Sequence, residues 1–128
     1  MAGPVILAVN GTLMRGLGLN GNLLKAGARF LREASTAPCY RLYSIKDVHP
    51  AMLRAPDGKA IALELWEVPA EGVAGILQAE PAGLCIGKVL LEDRSEVLGV
   101  LGEPWLCEGS VEITQHGGWR NYISARKR

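Results

Sequence analysis

The sequence predicts an α+β domain in which a small, curved or barrel-like mixed sheet carries two or so helices on its outside. Three observations lead there: strand-like apolar runs clearly outnumber helix-periodic ones, turn residues separate them along the whole length, and neither a repeat nor a linker-like stretch divides the chain. The 128 residues therefore read as a single domain, 1–128, long enough to bury roughly two thirds of its unfolded surface without disulfide staples.

The first element is the apolar, β-branched run Val5-Ile6-Leu7-Ala8-Val9, a strand that stops abruptly at Asn10-Gly11. Asn20 or Asn22 can cap a peripheral helix whose apolar positions Leu23, Leu24, Gly27, Phe30 and Leu31 recur near every 3.6 residues, leaving Lys25, Arg29 and Arg32 to water. A strand follows around Pro38 to Ile45, then a loop holding His49 and Pro50. The turn Pro56-Asp57-Gly58-Lys59 leads into a strand from Ala60 to Val68. Pro69 at a first helical position opens a short helix through Gly72 to Gln78, which Pro81 and Gly83 break. Cys85 to Leu91 and Glu96 to Leu101 form a hairpin across Glu92-Asp93-Arg94-Ser95. The tail from Glu112 to Ile123 reads as an irregular strand bent at Gly117-Gly118, and Arg126-Lys127-Arg128 as a frayed basic end.

Composition narrows the partners. With 48% hydrophobic and 21% charged residues and a formal net charge of +1, there is no strong field to attract nucleic acid or an acidic membrane. No run approaches the length of a membrane span, and nothing before Val5 resembles an export leader. Cys39, Cys85 and Cys107 are an odd set in apolar stretches without metal-ligand spacing, which suits reduced thiols and a cytoplasmic location. Neither a His-x-x-x-His nor a paired-Cys motif is present, so no metal or other cofactor is expected. Gly16-x-Gly18-x-x-Gly21 has dinucleotide-loop spacing but lacks a strand directly before it, and no Gly-x-x-x-x-Gly-Lys-Ser/Thr occurs. A small-molecule partner is left as the default.

The bend Asn10-Gly11-Thr12-Leu13-Met14-Arg15-Gly16 is the main candidate site, since a strand ending in a tight glycine turn leaves backbone N–H groups free to hold an anion or polarise a carbonyl. This segment resembles the Tyr-Gly-Ser/Thr-Leu-x-x-Gly loop of the gamma-glutamylcyclotransferase-like superfamily, with Asn10 in place of the tyrosine. A longer resemblance, to the C-terminal domain of allophanate hydrolase, runs through five blocks in order: Leu19-Asn20-Gly21, Thr36-Ala37-Pro38-x-Tyr40-Arg41-Leu42-Tyr43, Glu64-Leu65-Trp66, Leu84-Cys85-Ile86-Gly87 and Gly117-Gly118-Trp119-Arg120-x-Tyr122. It implies a gamma-glutamylcyclotransferase-like small mixed β-barrel and decarboxylation of an N-carboxycarbamate in urea and amide nitrogen metabolism. Two departures matter. No amidase apparatus is present, and Thr12 stands where that family often has a histidine, so a hydroxyl replaces a titratable ring.

One pocket is expected, lined by Asn10, Gly11, Thr12, Leu13, Asn20, Tyr40, Arg41, Trp119 and Arg120, and taking a small carboxylate or amide ligand. In it the bend amides hold an oxygen, Arg41 or Arg120 neutralises charge, and Thr12, Glu80 or His116 moves a proton. Glu80 lies where the cyclotransferase resemblance places a general base, so γ-glutamyl cyclotransferase chemistry is a second expectation. On the strand Ala60 to Val68, Glu64 shares a face with Ala62, Trp66 and Val68, so if buried it must be neutral or paired with a cation such as Arg41 or Arg120; its functional reading is a carboxylate of the pocket wall. His49 is expected to be a loop residue without duty. A non-catalytic role is the third expectation, as the partner of a separate amidase subunit docking near Trp105 or Leu106; a homodimer also remains open.

Overall fold

Over residues 3–126, which the computed structural model describes, the chain runs β1 (Val5–Val9), α1 (Asn20–Lys25), β2 (Arg29–Ser35), β3 (Tyr40–Ile45), β4 (His49–Arg54), β5 (Ala62–Val68), α2 (Val73–Gln78), β6 (Leu84–Leu90), β7 (Glu96–Gly102), α3 (Pro104–Cys107), β8 (Val111–Glu112) and α4 (Trp119–Arg126). One sheet is ordered β2-β5-β1-β7-β6 and a second β4-β3-β8. β1 is antiparallel to β5 and parallel to β7, which makes the larger sheet mixed. Its central place explains its sequence: Leu7, Ala8 and Val9 are all buried, because both faces of a central strand are covered.

The larger sheet curls until its two outer strands touch at one corner. Thr36, just past β2, bridges Leu91, just past β6, with Ala37 N–H donating to Leu90 O (3.0 Å) and Glu92 N–H to Ser35 O (3.0 Å). Tyr40, fully buried on β3, places its hydroxyl to accept from Leu90 N–H at 2.9 Å and so ties the second sheet to that corner. Tyr40→Phe removes this acceptor, and urea unfolding should show a loss of about 1–2 kcal/mol. Close approach also fixes Gly58, where a Cβ would stand 2.5 Å from the Tyr40 backbone nitrogen. Gly58→Ala should therefore cost about 2–3 kcal/mol and loosen the Tyr40–Lys59 bridge.

Several expectations fail for identifiable reasons. The first helix ends at Lys25 rather than continuing through Leu31, because Gly27 takes a left-handed φ of 83°. Gly27 N–H bonds Leu24 O and Ala28 N–H bonds Leu23 O, a Schellman ending that turns Phe30 and Leu31 into β2. Neither asparagine caps it: Leu19 occupies the cap, and the Asn20 side chain serves the bend. The loop expected at His49-Pro50 is strand β4, made by a tight hairpin in which Lys46 and Asp47 both have positive φ. Asp47 and Ser44 bond each other there, and Pro50 is tolerated because β4 is an edge strand. In the tail, only Val111 and Glu112 are strand. Gly117 takes a φ of 76° and α4 follows, with Trp119, Tyr122 and Ile123 at helical spacing. α4 docks through Tyr122 Oη on Asp47 (2.6 Å) and Arg126 on Asp47 (3.2 Å). Of the basic end, Lys127 and Arg128 lie outside the described residues. Among the described residues no helix is long and apolar enough to cross a membrane.

Candidate functional site

Past β1 the chain folds back on itself so that the carbonyls of the bend are consumed internally. Gly11 O accepts from Met14 N–H (3.0 Å), Thr12 O from Leu19 N–H (2.9 Å) and Leu13 O from Asn20 Nδ2 (2.8 Å). Among the described residues the N–H groups of Gly11, Thr12 and Leu13 donate no hydrogen bond, the arrangement that leaves amides available to an incoming oxygen. Asn10 is buried and anchors the bend from below, its Nδ2 donating to Val100 O on β7 at 3.0 Å. Gly11 is required by packing, since a Cβ would lie 2.5 Å from Pro50 Cδ.

Glu80, two residues past α2, lines the same depression as Asn10 to Leu13, together with His49, Pro50 and Val100. The space there is about 10 Å³, on the scale of one water or one ligand oxygen rather than of a whole ligand. Burial pushes the Glu80 carboxyl above its ordinary value of 4.5. Its linkage follows: the folded form keeps the proton at a pH where the unfolded chain has lost it. This contribution to stability is complete below pH 4.5 and disappears as pH rises through the folded value.

The opposite wall of the bend is held by Glu64, which is 2% exposed. Its Oε1 accepts from Arg15 N–H (2.9 Å) and Trp66 Nε1 (3.2 Å), and its Oε2 from Arg15 Nε (3.1 Å) and Arg120 Nη2 (3.0 Å). Arg120 Nη2 also donates to Arg15 O at 2.6 Å, so the Arg15 peptide is gripped from both sides. Burial alone would raise this carboxyl, but the donations from the Arg15 backbone, Arg120, Trp66 and the Arg15 side chain hold it below 4.5. Here the sign reverses: the stability is present above pH 4.5 and is lost as acid takes pH down through the folded value. Acid unfolding of the wild type should thus have a limb that Glu64→Gln flattens, measured by circular dichroism between about pH 2 and 5.

The remaining expected site residues disperse instead of sharing one pocket. Tyr40 is sealed in the core and serves Leu90. Arg41 faces away, paired with Asp57 and, at 4.0 Å, with Glu112. Asn20 acts on the bend's carbonyl side. Trp119, buried against the core, and Arg120 stay together but line a separate cleft of about 400 Å³, with Arg32, Glu33 and Glu92. His116 stacks on Tyr122, with ring centroids 5.2 Å apart. Two residues escaped the sequence reading. Arg15 makes the tightest hold on Glu64, and its guanidinium also sits 3.8 Å over the Phe30 ring; its place within the bend was the available signal. His49 reaches the depression only because β4 is a strand. Among the described residues no group of three His, Cys, Asp or Glu converges as a metal would need.

Residues 5–124 match the protein family described as the allophanate hydrolase C-terminal domain. The urea amidolyase of Saccharomyces cerevisiae is 32% identical over 130 residues, covering 95% of this chain but 7% of that protein. Among solved structures, a uropathogenic E. coli-specific protein is 54% identical with a TM-score of 0.94, the match covering 97% of this chain and 98% of that one. Kluyveromyces lactis allophanate hydrolase is 33% identical with a TM-score of 0.90, over 95% of this chain and 21% of that one. An AIG2-like protein from Mus musculus, 19% identical with a TM-score of 0.62 over 80% of this chain and 78% of that one, shares the fold. The chain spans less than a tenth of the yeast amidolyase that it resembles.

Proposed function

The chain belongs to the allophanate hydrolase C-terminal domain family, and from that premise we propose that it binds a small carboxylated amide or carbamate at the bend and decarboxylates an N-carboxycarbamate. The relation to urea amidolyase supports a role in urea or amide nitrogen metabolism. What supports the reading is one juxtaposition: Gly11 to Leu13, whose amides donate no hydrogen bond within the described residues, and the half-buried Glu80, whose proton is held more firmly than usual, line one depression.

The chemistry follows from that pairing. A carbonyl or carboxylate oxygen fills the water-sized depression and takes the amide N–H groups, with the rest of the ligand outside. The C–N bond to the departing carboxylate breaks, carbon dioxide leaves, and the nitrogen takes the proton from Glu80; solvent restores it. Thr12 hydrogen-bonds the ligand without titrating. The test is carbon dioxide release from N-carboxycarbamate freshly generated by a separate amidase. The wild type should exceed the spontaneous rate, and a rate equal to it would refute the reading.

Glu80 also favours a second reading, γ-glutamyl cyclotransfer, in which it takes a proton from an α-amine while the amides polarise the γ-carbonyl. Formation of 5-oxoproline from a γ-glutamyl amide would select that reaction instead. The match takes up 21% of the Kluyveromyces lactis allophanate hydrolase, an arrangement that supports an amidase as partner of this domain; Trp105, 58% exposed on α3, is its docking candidate. Trp105→Ala should then abolish co-purification of an amidase while leaving small-ligand binding unchanged.

A further inference from the structure

The depression at the bend has a histidine in a second wall. His49 is 7% exposed and its Nδ1 lies 3.0 Å from Pro50 O. A carbonyl oxygen can only accept, so Nδ1 carries the hydrogen, and in the neutral ring Nε2 is then the acceptor. Nε2 has no partner among the described residues, yet no sealed side-chain nitrogen or oxygen is left unbonded. Nε2 is therefore open, and the space that His49 lines is the depression it shares with Thr12 and Glu80. The backbone that carries the ring is fixed: Pro50, next in the chain, packs on Gly11, and His49 pairs with Ile45 in the β3–β4 hairpin.

We propose that His49 selects the ligand by accepting, at Nε2, a hydrogen bond from an N–H group attached to the carbonyl carbon held by Gly11, Thr12 and Leu13. The site would then discriminate amides, ureas and carbamates from ketones and esters of the same shape. Donors on the bend meet the carbonyl oxygen, and an acceptor meets the nitrogen beside it, so the two walls read the two ends of one amide. This rests on the bend being the ligand site. A polar group left facing nothing is costly in a site of this kind, so an isostere lacking the N–H should bind clearly worse.

Oxamate and pyruvate supply the test, because they share a ketone-like carbonyl and a carboxylate and differ only in an amino against a methyl group. Binding is followed by NMR on the intact chain, reading the amide signals of Gly11 to Leu13 and the ring nitrogens of His49. Oxamate should bind about tenfold or more tightly than pyruvate and move the Nε2 resonance. His49→Asn, which can still donate to Pro50 O but ends short of the Nε2 position, should lose that preference. If both ligands move the bend amides with equal affinity and Nε2 stays still, the His49 assignment falls while the bend remains the site. If neither ligand moves the bend amides, both fall. Should the variant not fold, the wild-type Nε2 response decides alone.

Discussion

Glu64→Ala is expected to lower the unfolding free energy by about 4 kcal/mol, the largest stability loss of any polar substitution in the molecule. The carboxylate satisfies the buried Trp66 Nε1 and the part-buried Arg15 backbone N–H. Each stranded donor costs about 1–3 kcal/mol. The two guanidiniums add less, because the Arg15 and Arg120 side chains are 42% and 45% exposed and can turn to solvent. For a domain of this size the loss would lower Tm by roughly 10–20 °C. Arg120→Met should cost about 1 kcal/mol, since Glu64 keeps its other three donors. Paired urea titrations check the order, and a Glu64→Ala loss below about 1 kcal/mol would contradict this picture of the carboxylate.

Glu80→Gln is expected to reduce carbon dioxide release by about 10²–10⁴-fold, the range that a positioned acid or base supplies, without lowering stability. The amide keeps the shape and removes the proton. Burial disfavours the ionised carboxylate at neutral pH, so the neutral variant should be equally or more stable there, and the fall in stability above pH 4.5 should vanish. Loss of rate together with unchanged or raised Tm separates a chemical role from a structural one. A variant that unfolds early, or one that turns over at the wild-type rate, would show Glu80 to be an ordinary helix-end residue. Gly11→Ala gives the contrasting case: its Cβ drives Pro50 outward, so it should impair both binding and stability.

The fold was legible where local chemistry and tertiary context agree. The unbroken run Val5–Val9, the hairpin between Cys85 and Leu101, and the strand ending at Val68 all carry their signal in the residues themselves. So does the class, an α+β fold with a mixed sheet, and the AIG2-like structure shares this fold. What failed depends on backbone torsions that residue identity expresses weakly. Gly27 looked like one more apolar helix position but adopts a left-handed φ that ends α1, and Lys46-Asp47 makes a tight turn without the usual Asn-Gly. Missing that turn hid β4, and with it His49. In the site, the bend was legible because its glycine follows a strand. The spread of Tyr40, Arg41 and Arg120 was not, since alternation says which face of a strand a side chain takes but not which side of the molecule that face looks on. For Glu64, the choice between neutrality and a cation, with Arg120 among the candidates, could be read from burial on its strand; that Arg15 rather than Arg41 joins Arg120 there could not.

The account turns on the ligand site being the bend and not the roomier cleft beside Arg120. A crystal of this chain soaked in malonate, a stable dicarboxylate, measures this directly. One carboxylate should lie within hydrogen-bonding distance of the Gly11, Thr12 and Leu13 amides, with Glu80 beside it. Malonate bound only in the cleft against Arg32 and Arg120, with the bend amides unoccupied, would contradict it.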